Sequence, residues 1–438
     1  MTARSLETGA EAQHPAAGSF QAGGVLALSV CHFIHDVYSS FLAPLLPLLI
    51  AKHALSLTQA GFLSTVMQLP ALLNPVIGTL ADRMSTRWFI ILAPSLTAVP
   101  MSLMGLAPSY TVLLILMFLA GISVALFHVP APVMVSRLSG RQVGRGMGFF
   151  MTGGELARSL GPLAAVGAVS VLGFEGFYPV MGVGLLASLW LYNRFADAPL
   201  KIAGSKRASI RQVWRQTRHV LLPLSGILTA RGCMHAAMTA FLPTFILQET
   251  GNLWLAGAGL TIFEAAGVVG VLAAGSLSDV IGRRRVLLVS LVGAPLSLFL
   301  FTWLSGWARL AMLVLTGFTL LSTSPVMLAI VQERAVKSPA AANGLYMMIS
   351  FMARSAIVVG VGWLGDLMGL RNTYLAAAAL GLLGLPFVMM LPRSRPAVGR
   401  AAGKGRQPTT SLSDTRRRHR PRFPGRSATS RYGGFPRR

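Results

Sequence analysis

Apolar residues in this chain come in long runs closed by short polar stretches, without the alternation of a half-buried strand or the single stripe of a surface helix. Such runs lie near residues 24–50, 58–81, 88–106, 110–135, 147–173 and 177–195, and again near 220–247, 253–278, 286–304, 308–331, 341–364 and 374–391. About 20 residues at ~1.5 Å each cross a hydrocarbon layer about 30 Å thick, so the pattern predicts twelve transmembrane helices.

The runs fall into two sets of six because the chain repeats itself at an offset of 196 to 197 residues. Leu46-Pro47 with Ile50 answers Leu242-Pro243 with Ile246, Ala60-Gly61 answers Ala256-Gly257, and Ala157-Arg158-Ser159 answers Ala353-Arg354-Ser355. The expected organisation is a polar N-terminal tail (1–21), an N-terminal six-helix bundle (22–195), a basic linker (196–218), a C-terminal six-helix bundle (219–392) and a basic, disordered C-terminal tail (393–438). Two repeats in the same orientation imply bundles related by an axis along the membrane normal, with a site between them near mid-bilayer.

Composition agrees: 53% of residues are hydrophobic, 12% are charged and the mean hydropathy is +0.63, outside the range of a soluble domain. The net charge of +25 is unevenly placed. From 392 to 438 the chain holds 14 Lys and Arg against one Asp, which reads as a solvated tail near anionic headgroups and not as a nucleic-acid surface. The side holding the N-terminus carries Arg83, Arg87, Arg137, Arg141, Arg145, the basic linker, Arg283 to Arg285, Arg334 and Lys337. The opposite side has Lys52, Arg309 and Arg371, so both termini are expected in the cytoplasm of a bacterial inner-membrane protein. Cys31 and Cys233 fall inside runs and suggest no disulfide framework.

Charges inside the runs carry the chemistry. Asp36, Gln68, Arg158, Arg231, Glu264 and Arg354 fall near the midpoints of their runs and share one depth. A charge facing lipid there costs about 2.5–3.5 kcal/mol, so these groups are expected to face the bundle interior. With Glu155 added, three carboxylates stand against three guanidinium groups. Asp36, Glu264 and Glu155 are the expected proton-coupling residues, Asp36 first, because a carboxyl in a low-dielectric cavity can titrate near neutral pH. His32, His35, Gln68, His128, Arg158, Arg231, His235 and Arg354 are the expected substrate-cavity residues, the arginines as forks for an oxyanion. His32 and Asp36 share a helix face, as do Arg231 and His235. A permanent Glu155–Arg158 pair that fixes packing, and a His128 that only hydrogen-bonds, are the alternatives.

Gly78-Thr79-Leu80-Ala81-Asp82-Arg83 with Arg87, and Gly275-Ser276-Leu277-Ser278-Asp279 with Gly282, Arg283 and Arg284, resemble the doubled loop motif of the major facilitator superfamily. Ser85 stands where that motif has Gly, and Val280 where it has Arg. His32-Phe33 with Asp36, Phe127-His128, and Gly153-Gly154-Glu155 with Leu160-Gly161-Pro162 resemble the fosmidomycin-resistance-protein group of bacterial drug exporters, although Val129 intervenes before Pro130. The superfamily's Arg in the fourth span, expected near Met117, is absent.

The resemblance implies an all-α integral membrane protein with twelve helices in two pseudo-symmetric six-helix bundles. It implies a cytoplasmic gate at Gly78, Asp82, Arg83, Arg87, Gly275, Asp279, Arg283 and Arg284. Gly148, Gly161 and Pro162 resemble the superfamily's antiporter signature and are expected to pack helices closely.

The expected function is secondary active transport, a proton-coupled antiporter exporting a small molecule, an anion or a drug, by alternating access. An uptake symporter for an organic anion or metabolite is the alternative, and an intramembrane sensor or enzyme the third reading. The chain has no phosphate-binding loop and no His-Glu-x-x-His metal spacing, so no cofactor, metal or catalytic residue is expected. The expected partners are the substrate, protons and the lipid bilayer, with the chain as a monomer.

Overall fold

The computed structural model describes residues 20–74, 77, 87–140, 142–195, 210–334 and 339–391. Prolines break the first span of each half at related places. In the first half, α1 (Ala22–Ser39) gives way to α2 (Leu42–His53) at Ser40–Phe41, just ahead of Pro44 and Pro47. In the second, α9 (Ile210–Ala236) passes through a π-helical turn (Ala237–Phe241) into α10 (Leu242–Thr250), ahead of Pro243. A proline lacks the N–H that the preceding turn needs and clashes with a carbonyl there, so the helix bends or widens.

The remaining elements follow the apolar runs. The first half continues with α3 (Leu57–Gln68) and its 3₁₀ extension Leu69–Leu73, α4 (Arg87–Leu103), α5 (Tyr110–His128), α6 (Ala131–Leu138), α7 (Val143–Leu172) and α8 (Met181–Phe195). The second half continues with α11 (Leu253–Ile281), α12 (Arg283–Trp303), α13 (Gly306–Arg334), α14 (Pro339–Leu382) and α15 (Gly384–Met390). Among the described residues, nine helical stretches are long and apolar enough to cross a bilayer. One of these, Leu345–Met390, is broken at Gly369, whose φ of 78° and ψ of 158° suit glycine, and so holds two spans. The second span is described in part as α3, and α8 at 15 residues covers about 22 Å, so the set is consistent with twelve spans. Helix α9 starts at Ile210, so residues 210–218 of the expected linker belong to a helix. The expected C-terminal tail lies outside the described residues.

The outer surface is apolar along the helices, with Leu186 68%, Leu272 70% and Val289 66% exposed among many such residues, as a lipid-facing surface requires. Inside, the core runs from Leu45 and Leu46 through Phe241 and Phe263 to Tyr374, spanning both halves. At the ends away from the N-terminus, Lys52 pairs with Glu175 at 2.5 Å and donates to the Gly105 carbonyl at 2.7 Å. The Lys52 hydrogen bond and charge hold the Glu175 carboxyl below its usual range. In the second half Glu249, the repeat counterpart of Lys52, pairs with Arg309 at the start of α13.

The halves meet through α3 against α14, α7 against α11 and α2 against α10. Small residues make this contact close. A Cβ added at Gly61 would lie 2.7 Å from the Val358 carbonyl oxygen, and one at Gly362 would strike the Leu57 carbonyl. Thr65 Oγ1 donates to the Ser355 carbonyl at 2.7 Å. Asp366 of α14 accepts from the backbone N–H of Leu57 (2.6 Å) and Thr58 (2.8 Å) and from Thr58 Oγ1 (2.6 Å). Its carboxylate therefore caps a helix of the other half, where first-turn N–H groups lack partners and the helix dipole favours negative charge. Helix α3 begins at the end of span one farthest from the N-terminus, so this seal lies on the side opposite the termini.

Gly362→Leu should force α3 and α14 apart. Overpacking of this kind costs about 1–3 kcal/mol. The expected outcome is a lower melting midpoint in detergent and faster maleimide labelling of a Thr65→Cys reporter. A control variant, Gly148→Ala, should leave both unchanged, since a Cβ there meets nothing within 4 Å. Equal labelling in the Gly362 variant and its parent would show that this seal is not closed in the membrane.

Candidate functional site

The site begins on α1, where His32, His35 and Asp36 come within five residues of one another. All three are buried, His35 completely. His32 Nε2 lies 3.1 Å from Asp36 Oδ2, the contact expected of residues one helical turn apart, and His35 Nδ1 lies 2.8 Å from Asp36 Oδ1. A third imidazole arrives from another span. His128 closes α5 just before the break at Val129–Pro130, and its Nε2 lies 3.5 Å from Asp36 Oδ1. Asp36, expected to share a helix face with His32, is thus surrounded by three imidazoles.

Aromatic rings and glycines hold this cluster in place. His32 stacks on Phe150 at 4.1 Å between centroids and His35 on Phe127 at 4.6 Å. Helix α7 lies close against α1 because Gly153 and Gly154 have no side chains. A Cβ at Gly154 would sit 2.6 Å from the His32 ring, and one at Gly153 would strike the Ser29 carbonyl. Gly161 lies similarly against Ser40, while Gly148, expected in the same packing stripe, faces open space.

Two turns along α7, Glu155 and Arg158 form an ion pair three residues apart. Arg158 also reaches across to the second half, its Nε 4.0 Å from Glu264 Oε2 on α11. Among the described residues this is the one ion pair that joins the halves. On the far wall, Arg231 of α9 is buried and its Nη2 donates to the Leu320 carbonyl at 3.1 Å, which leaves Nε without a partner. Arg354 lies over the Phe351 ring at 5.7 Å and within electrostatic reach of Arg158, Tyr346 and Glu264. His235, half-buried, is within reach of Arg231, Arg354 and Arg158.

His128, Arg158 and Arg354 are exposed by area, although His128 faces Asp36 of α1 and Arg158 faces Glu264 of α11. Exposed area at groups partnered across helices marks accessible space between those helices. Gln68 is half-buried, its Nε2 donates to the Ser64 carbonyl at 3.1 Å, and its Oε1 has no partner. The charges that share one depth in the sequence are therefore electrostatic neighbours, three of each sign, around one centre.

The expected gate is described in part. Gly78, Asp82 and Arg83 lie outside the described residues. Arg87 lies over the Trp88 ring at 5.6 Å. In the second copy Arg283 bonds Asp279 at 2.5 Å on α11 and Glu333 at 3.1 Å on α13. Those contacts tie two helices of one half together, and Glu333 was missed because nothing local in the sequence marks it. Gly275 faces open space, and Arg284 reaches the Met389 sulfur at 2.9 Å.

Comparisons with known proteins agree with this architecture. The sequence profile of the Major Facilitator Superfamily matches residues 28–260 and 227–430. The fosmidomycin resistance protein of Escherichia coli (strain K12) is 27% identical over 381 residues, covering 85% of this chain and 93% of that one. An uncharacterized MFS-type transporter, YfnC of Bacillus subtilis (strain 168), is 25% identical, covering 84% of this chain and 92% of its own. Among solved structures, a bacterial homologue of the human lysosomal transporter Spinster, inward-facing and occupied, superposes with a TM-score of 0.75 at 15% identity, over 87% of this chain and all of that one. The nucleoside transporter NupG gives 0.69 at 14% identity, over 84% of this chain and all of that one. Helices that surround a buried, balanced set of charges, and a profile that matches in both halves, lead to one assignment: the chain belongs to the major facilitator superfamily.

Proposed function

We propose that this membrane transporter is a proton-coupled antiporter of the bacterial inner membrane, with both termini cytoplasmic, that exports a small anionic compound by alternating access. The observation that carries the reading is the Arg158–Glu264 contact. Coupling needs a protonation that changes how the halves meet. A proton on Glu264 removes the charge that Arg158 faces across the gap, while Glu155 keeps the guanidinium paired within its own helix. The α7–α11 contact then loses its ionic component and the halves are freer to rock.

The substrate class follows from the walls. Asp36 and Glu155 stand with Arg158 on the first half, so that wall has an excess of negative charge; Arg231 and Arg354 stand with Glu264 on the second, an excess of positive charge. Arg354 is the accessible guanidinium on the positive wall, whereas Arg231 is buried and bonded to a carbonyl. An oxyanion therefore docks on Arg354, whose planar fork fits two oxygens. The likeness to a fosmidomycin resistance protein supports a phosphonate as the first probe.

In everted vesicles, an imposed pH gradient should drive accumulation of labelled fosmidomycin in the parent and at least tenfold less in Glu264→Gln, while gradient-free exchange persists. Full gradient-driven uptake in that variant would remove Glu264 from coupling. Accumulation in right-side-out vesicles instead would establish the uptake symporter.

Arg354→Lys should raise the KM for fosmidomycin at least tenfold, because an ammonium cannot make the paired contact. An unchanged KM would sink the anion-docking role.

A further inference from the structure

The Asp36 cluster gathers lone pairs that a bound cation would satisfy. His32 Nδ1 lies 2.8 Å from the Phe150 carbonyl oxygen and His128 Nδ1 lies 3.0 Å from the Val124 carbonyl oxygen. A carbonyl only accepts, so each Nδ1 carries its ring's hydrogen. In a neutral imidazole the other nitrogen is then a bare lone pair. Both bare nitrogens point at the Asp36 carboxylate, at 3.1 and 3.5 Å, and an ionised carboxylate also only accepts. Three lone-pair donors facing one another call for positive charge among them, either a second proton on an imidazole or a bound cation.

Their spacing fits a metal ion. Ligand atoms bound at 2.0–2.1 Å on tetrahedral corners stand about 3.3 Å apart, and the contacts of His32 with Asp36 Oδ2 at 3.1 Å and of His128 with Asp36 Oδ1 at 3.5 Å bracket that value at two different oxygens. The three ligand atoms, one from each of His32, Asp36 and His128, lie within 4.8 Å of one another, so the widest edge closes by movement of one ring. His128 can supply it, being 38% exposed in its side chain where the two α1 residues are packed. The surroundings fit too. A ligating histidine usually gives its second N–H to a carbonyl, as both do here, and His35 Nδ1 at 2.8 Å from Asp36 Oδ1 fixes the carboxylate as an outer partner.

We propose that His32, Asp36 and His128 form a binding site for one divalent transition-metal ion of the zinc class, open to the cavity at its fourth position. Two imidazoles and one carboxylate select zinc, cobalt or nickel over magnesium or calcium, which prefer oxygen alone. The open position lies on the His128 side, where water or an oxygen of a cavity ligand completes the shell. This site stands on the cluster's own geometry and does not depend on the direction or coupling of transport.

The test uses full-length protein in detergent, carrying a tag without histidine and stripped with chelator, titrated with Co²⁺ as the probe. One equivalent per chain should bind and give visible absorption bands of a four- or five-coordinate ion, and Zn²⁺ should displace it. His128→Ala, the least packed of the three, should weaken binding at least tenfold in a monodisperse protein, as should Asp36→Asn, whereas His235→Ala, outside the cluster, should not. Absence of stoichiometric binding to the parent chain would overturn the site. So would Co²⁺ affinity unchanged in His128→Ala, which would place the ion elsewhere.

Discussion

The structure depends on one constraint: a charge at mid-bilayer must find a partner inside the protein, an opposite charge, a carbonyl or an aromatic face, or cost several kcal/mol. Asp36, Glu155, Arg158, Arg231, Glu264 and Arg354 obey it collectively. Arg158 is the pivot, bound to Glu155 on its own helix and facing Glu264 on the other half. Helices that carry these residues cannot rotate toward lipid without exposing them, so the charges fix which face of α1, α7, α9, α11 and α14 points inward.

The same constraint gives the two ends of the molecule different characters. At mid-depth the halves face each other through charges. On the side away from the N-terminus they touch through backbone, with Gly61 and Gly362 removing side chains and Asp366 capping α3. Backbone contact of this kind is tight and lies beside an apolar core shared by both halves. A central polar gap with a narrow seal at one end is the arrangement a rocking carrier needs.

How much of this was legible in the sequence depends on the range of each interaction. Apolar runs and the 196-residue offset are read from spacing alone, and the His32–Asp36 contact follows from one helical turn. The convergence of charges was legible as well, because depth and cost leave them nowhere else to go. Partners from distant spans were not. Nothing near His128 says that its ring reaches Asp36, and nothing near Asp366 names Leu57, 309 positions away. Periodicity assigns a face but never a neighbour. Gly148 shows the opposite error: it fits a small-residue stripe by spacing, yet a helix of 30 residues has several faces and this one opens onto space.

Duplication explains why the two walls differ. His35 and Arg231 occupy equivalent positions, and so do Gln68 and Glu264, so a shared polar framework has acquired opposite charge on its two sides. The first wall collects lone pairs at Asp36 and its imidazoles; the second collects N–H donors at Arg231 and Arg354. Among the described residues the Arg158–Glu264 contact is the direct ionic link between them, and at 4.0 Å it is a loose one. A charge gained or lost on either wall changes the field at this contact, because both walls border the same few ångströms of low-dielectric space.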